Sequence, residues 1–135
     1  MTGSQAELLE ECRRAEKEQA LFYRRLASDA EARDAVDLAA RFHDLHADEQ
    51  HHLSRLTARL VELGYVPVDL GELRMVAVAA DGWESVARGR EEAEIRRYEA
   101  LAAAQVDDHT RALAEEILGV ERNHARELGG KWTMA

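Results

Sequence analysis

The chain has 135 residues, a length that suits one domain with one sizeable core. Its 27 acidic and 18 basic residues give a formal charge of -9, which disfavours nucleic acid as a main partner and reads as solvated helix faces. The only cysteine, Cys12, rules out an intramolecular disulfide and a Cys-x-x-Cys metal centre. No stretch approaches the roughly 20 apolar residues of a membrane span, and the polar N-terminus lacks an apolar signal region. A cytoplasmic location is expected, either free or enclosed within a protein compartment.

One proline and eight glycines among many Ala, Leu, Glu and Arg residues predict an all-α protein, read here as a single domain over 1–135. The first helix is expected over about 4–28, with Leu9, Cys12, Glu16, Gln19, Tyr23 and Leu26 on one stripe at alternating spacings of three and four. Ser4 with Glu7, and Ser28 with Glu31, have the spacing of capping boxes. The second helix, about 34–63, carries Phe42, Leu45, Glu49, His52, Leu56, Leu60 and Leu63 inward, and Gly64 stops it. A connection over about 64–80 holds Pro67 and the apolar stretch Met75 to Ala80. Asp81 and Glu84 have capping-box spacing before a third helix, about 81–104, with Ala87, Glu91, Glu94, Tyr98 and Leu101 inward. The fourth, about 108–129, carries Leu113, Ile117, Glu121, His124 and Leu128, and ends at Gly129-Gly130 before a tail containing Trp132.

Short links make the first two helices an antiparallel pair, and the last two likewise. The middle connection of about 16 residues reaches roughly 50 Å when extended, whereas a helix of about 25 residues is about 38 Å long. It can therefore cross the whole bundle, as in a ferritin-like arrangement with one long crossover between helices 2 and 3. Glu16, Glu49, Glu91 and Glu121 all stand about 12–15 residues from the turn shared by their helix pair, so at about 1.5 Å per residue they sit at nearly one depth.

That common depth gives meaning to two Glu-x-x-His pairs, Glu49/His52 and Glu121/His124. Residues three apart on a helix project to one side, and here that side is otherwise Leu, Ile, Phe and Ala. Burying four carboxylates requires positive charge to offset them. A pair of metal ions meets that need, with two glutamates bridging, two terminal and one histidine on each ion. The mixed oxygen and nitrogen donors suit iron or manganese, and zinc can occupy such a set. The alternative is a metal-free bundle in which these groups form salt bridges or lie on solvated faces.

Tyr23 and Tyr98 stand seven residues, two turns, after Glu16 and Glu91. Each phenol is placed to hydrogen-bond a carboxylate of the opposite half; the alternative is core filling. Glu94 is either a seventh, displaceable carboxylate or a helix-surface residue paired with Arg97. Its counterpart Gln19 carries no charge, so the two metal positions need not be equal. His46, one turn before Glu49, is a candidate outer contact of the site, while His43, His51 and His109 read as surface. Cys12 reads as a buried structural thiol, and Trp83 as core or interface.

At this point the sequence resembles the rubrerythrin branch of the ferritin-like superfamily. The segment Glu16-Lys17-Glu18-Gln19-Ala20-Leu21-Phe22-Tyr23 is similar to the family's first ligand segment with its trailing tyrosine. Phe42 through His52 matches the second, and Glu91 through Tyr98 with Glu121 through His124 complete the duplicate. The resemblance implies two iron ions that react with hydrogen peroxide or dioxygen, and a further carboxylate on the third helix, for which Glu94 is the candidate. Complete rubrerythrins carry a cysteine-ligated iron domain, which this sequence lacks, so an external electron donor is implied.

On this reading Glu49 and Glu121 bridge the metals, Glu16 and His52 complete one position, and Glu91 and His124 the other. The expected activity is peroxide reduction. Three alternatives stand beside it: an oxidase or oxygenase acting on a small organic substrate, a ferroxidase for iron storage or delivery, and a non-enzymatic helical interaction module. A homodimer is a further expectation.

Overall fold

In a computed structural model, which describes residues 4–74 and 82–128, Ser4 and Glu7 form the expected capping box. The Ser4 hydroxyl accepts from the Glu7 amide, and the Glu7 carboxylate accepts from the Ser4 amide. Helix α1 then runs over Gln5–Ala32, past the end expected near residue 28. Ser28 is therefore an exposed residue inside the helix and not a cap. Packing explains the extension: Ala27 and Ala30 are fully buried in a cluster with Phe22, Leu26 and Phe42, which holds the last turn in helical form.

The chain reverses at Asp34, whose φ of 58° lies in the left-handed region that aspartate tolerates better than most residues. Helix α2 (Val36–Glu62) follows with no side-chain cap, and Gly64 at φ 88° closes it as expected. Helix α3 spans Trp83–Ala103 behind Gly82, and α4 spans Asp108–Glu127, its start capped by Asp107 accepting from the Thr110 amide. The stretch Met75 to Ala80, the box that needs Asp81, Gly129-Gly130 and Trp132 lie outside the described residues.

Contacts between helices settle their directions. Glu16 meets Tyr98 and Tyr23 meets Glu91, so α1 and α3 are antiparallel. Asp48 meets His124, Arg55 meets Glu116 and Arg59 meets Thr110, so α2 and α4 are antiparallel. With α1 and α2 joined by a tight turn, α2 and α3 run the same way, and the chain between them crosses the length of the bundle. The described start of this crossover is tied to α1: the Val68 amide donates to Glu10, and Arg13 donates to the Val68 carbonyl. At the same end Asp107 accepts from Gln5 and Arg59, clamping α1, α2 and α4 together.

The core has two apolar parts. One gathers Leu9, Cys12, Leu56, Leu60, Leu101 and Ile117, the other Phe22, Leu26, Phe42, Leu45, Ala87 and Leu128. The buried glutamates lie on the stretches of helix between them, so the charged layer is closed above and below by hydrocarbon. Among the described residues no helix is long and apolar enough to cross a membrane.

Candidate metal centre

The inward stripes bring all six expected groups to one place. Glu16, Glu49, His52 and Glu121 each offer a ligand atom within 4.8 Å of the others, and so do Glu49, Glu91, Glu121 and His124. Glu49 and Glu121 belong to both sets, whereas Glu16 and Glu91 belong to one each. The four glutamates are 0% exposed, and His52 and His124 only 3% and 4%. His52 Nδ1 lies 3.3 Å from Glu49 and 3.5 Å from Glu16; His124 Nδ1 lies 3.2 Å from Glu121 and 3.5 Å from Glu91.

The pattern of unpaired atoms tests whether metal ions fit. Both oxygens of Glu49 and Glu121, one oxygen each of Glu16 and Glu91, and Nδ1 of both histidines are buried without a hydrogen-bond partner. Such atoms are costly in a folded protein unless something else satisfies them. The doubly shared glutamates keep two free oxygens each, and Glu16 and Glu91 keep one. The donor set of carboxylate oxygens and imidazole nitrogens fits bound metal.

The remaining oxygens of Glu16 and Glu91 are held from the opposite half. Tyr98 donates to Glu16 Oε2 at 2.5 Å, and Tyr23 to Glu91 Oε2 at 2.6 Å. Burial first, and then the neighbouring carboxylates, hold both phenols well above their usual titration range, so each remains a donor. Gln19 also donates to Glu91, at 3.3 Å, and its own oxygen accepts from Arg90 at 2.5 Å.

Crowding of like charges shows in the protonation equilibria. Burial, and then Glu16, Glu121 and Glu91, push Glu49 well above the carboxylate range. Burial likewise raises Glu121 to about 7. His124 goes the other way from what burial alone dictates: desolvation disfavours its charged ring, but the hydrogen bond to Asp48 and the adjacent carboxylates of Glu121 and Glu91 prevail and push it up to about 12. His52 is raised on the same balance, with burial opposed mainly by Glu16.

Glu94 is 2% exposed and so is not a helix-surface residue, but it belongs to neither of the two ligand sets. It pairs with Arg97 at 2.7 Å, as the second of the two expectations had it, and its Oε2 has no partner. Burial and then Glu16 raise its pKa to about 9. His46 is half-buried and belongs to neither ligand set; burial first, and then the charges of Arg24, His43 and Lys17, lower its pKa. His43, His51 and His109 are exposed. Cys12 is a buried free thiol in the apolar core, its pKa raised by burial, and Trp83 packs edge-on against Phe42 with ring centroids 4.7 Å apart.

Asp48 was not among the residues expected at the site. Its Oδ2 lies 2.9 Å from His124 Nε2, across the α2–α4 interface. It directly precedes Glu49 and so falls about 100° off the inward stripe, where it reads as a surface residue. Only the approach of α4 reveals its partner. Arg90 was missed for the same reason, since its contact with Gln19 spans two helices.

Two openings flank the centre. A small cavity of about 140 Å³ between α1 and α3 is lined by Ala15, Glu18, Gln19, Arg90, Ala93, Glu94 and Arg97. A wider groove of about 450 Å³ between α2 and α4 includes Asp48, Val120 and His124 in its wall.

Comparison with solved structures identifies the architecture. An uncharacterized conserved protein from Magnetospirillum magnetotacticum superposes with a TM-score of 0.75 at 24% identity, over 96% of this chain and 93% of that one. A dodecameric thioferritin, the bacterioferritin-related protein of Bacteroides fragilis, superposes with a TM-score of 0.73 at 23% identity, over 93% of this chain and 83% of that one. The fold is ferritin-like. No protein-family model matches the sequence, and no curated protein sequence matches it. At these identities the likeness speaks for the ferritin-like bundle, and the chemistry has to be argued from this chain's own side chains.

Proposed function

We propose that this ferritin-like chain holds two iron ions between Glu16, Glu49, His52, Glu91, Glu121 and His124, and reduces hydrogen peroxide with electrons from an external donor. The observation that carries the reading is the convergence of buried, unpaired donor atoms from these six residues in two sets that share Glu49 and Glu121. This is the rubrerythrin-like alternative among ferritin-like functions, and manganese or zinc fits the same donors less specifically.

When bound, a ferrous pair supplies the two electrons that peroxide reduction consumes. The protein's part is positioning and charge. Glu49 and Glu121 offset the positive charge and set the separation of the two positions. Tyr98 and Tyr23 fix the free oxygens of Glu16 and Glu91 toward the centre. Glu94, beside Glu16 and with an unpaired oxygen, supplies a seventh carboxylate to that position.

Anaerobic reconstitution with iron, metal counting, and stopped-flow mixing with peroxide or dioxygen test this reading. It predicts two irons per chain and rapid oxidation by peroxide, with water as product. Inertness to peroxide alongside reaction with dioxygen would replace it with an oxidase. Loading of many irons per chain in a cage would indicate a ferroxidase, in keeping with the fold's likeness to a dodecameric thioferritin. Failure to bind metal would leave a helical interaction module.

A further inference from the structure

The two halves of the centre correspond residue for residue, which makes their differences informative. Glu49 and His52 on α2 answer to Glu121 and His124 on α4, but the residue before each glutamate is Asp48 in one half and Val120 in the other. Asp48 Oδ2 lies 2.9 Å from Nε2 of His124. The mirror contact would run from Val120 to Nε2 of His52, and valine has no acceptor to offer. Among the described residues the polar contacts of His52 are all made by Nδ1.

The outer partners of the terminal glutamates differ in the same direction. Glu91 accepts from Tyr23 and Gln19, and Gln19 is itself held by Arg90. Glu16 accepts from Tyr98, while the counterpart of Gln19 is Glu94, a carboxylate turned to Arg97. One position is therefore braced at both its terminal ligands, and the other at one.

We propose that Asp48 is a positioning residue that makes the Glu91/His124 position the tighter of two metal sites, so that it fills first and the Glu16/His52 position second. This rests on the two-metal reading above. A carboxylate on Nε2 keeps a ring proton there, presents Nδ1 to the centre as the ligating atom, and stops the ring from turning away. The same carboxylate increases the electron density that Nδ1 donates. His52 must select its tautomer and orientation as the ion arrives, and that selection weakens binding.

Titration of the metal-free chain with cobalt(II) under nitrogen, followed by visible absorption and calorimetry, tests the assignment. Two steps are expected, the tighter abolished by His124→Ala and the weaker by His52→Ala. Asp48→Ala should weaken the tighter step by about 10–100-fold, the range for partners of metal-bound histidines, and alter the cobalt spectrum of that step. Asp48→Asn keeps an acceptor oxygen and should retain more of the affinity. The Asp48 side chain is 52% exposed, so these variants are expected to fold, and helical content by circular dichroism checks this.

Equal affinities in the wild-type chain, an unchanged titration for Asp48→Ala, or a tighter step that disappears with His52 would each overturn the assignment while leaving a two-metal centre in place. A loaded protein inert to peroxide would instead overturn the proposed reaction and leave the order of filling intact.

Discussion

Tyr98 on α3 donates its phenol hydrogen to Glu16 on α1 at 2.5 Å, although 82 residues separate them in the chain. Tyr23 returns the contact to Glu91 at 2.6 Å, so each half of the bundle orients a buried carboxylate of the other. The pair locks the two halves in register as well as serving the centre. Both rings are fully buried, which gives each hydroxyl no alternative partner in water.

Tyr98→Phe should therefore act twice. It leaves Glu16 Oε2 buried without its donor, which costs about 1–3 kcal/mol in the metal-free protein. It also frees the carboxylate to rotate, and metal affinity should fall about 10-fold or more. Urea denaturation and cobalt titration measure the two effects separately. An unchanged affinity alongside lost stability would reduce the tyrosine to core filling.

The metal-free bundle should lose stability as pH rises. Glu121 is raised to about 7 and Glu94 to about 9, and Glu49 lies well above its ordinary range, in each case with burial as the largest cause. A carboxyl group whose folded pKa exceeds its unfolded value favours folding most fully below the unfolded pKa, and that contribution is lost as pH passes the folded one. The melting temperature of the metal-free protein should accordingly fall between about pH 5 and pH 9. Loading with metal requires the ionised ligands, so the gap between loaded and metal-free melting temperatures should widen over the same interval. Thermal melts at several pH values decide it; a metal-free protein that gains stability toward pH 9 would contradict the sign.

Much of this centre was legible in the chain because helical periodicity is a local property. Spacings of three and four placed Glu16, Tyr23, Glu49, His52, Glu91, Tyr98, Glu121 and His124 on inward stripes, and counting rises from the turns placed them at one depth. Every one of them is buried. Asp48 and Arg90 escaped because their partners lie on other helices, and their positions beside the stripes carry no local mark. Ser28 misled for a related reason: its spacing to Glu31 is that of a cap, but burial of Ala27 and Ala30 against α2 outweighs the local signal.

Glu94→Gln separates metal holding from reactivity. The six other ligands remain, so two ions per chain should still be counted after reconstitution. Oxidation by peroxide should slow by about 10–100-fold, because the seventh carboxylate that supports the Glu16 position is gone. Arg97 can still bond the amide oxygen, which limits disturbance of α3. Loss of an ion in this variant would make Glu94 an obligatory ligand instead.

Glu49→Leu sets stability against metal binding. Glu49 is 0% exposed, both its oxygens lack hydrogen-bond partners, and Glu16, Glu121 and Glu91 surround it. A hydrocarbon of similar volume removes both the desolvation of that group and its repulsion of its neighbours. A buried carboxyl left without a hydrogen-bond partner carries a desolvation cost of about 1–3 kcal/mol, which the variant removes. The metal-free variant should therefore resist urea at least as well as the parent. Because Glu49 belongs to both ligand sets, the same change should remove both ions, whereas Glu16→Leu should remove only the one at its own position. Metal counts of zero and one, with a stable bundle in each case, would fit this division of duties. Equal metal loss in the two variants would show that Glu49 is no more a bridge than Glu16.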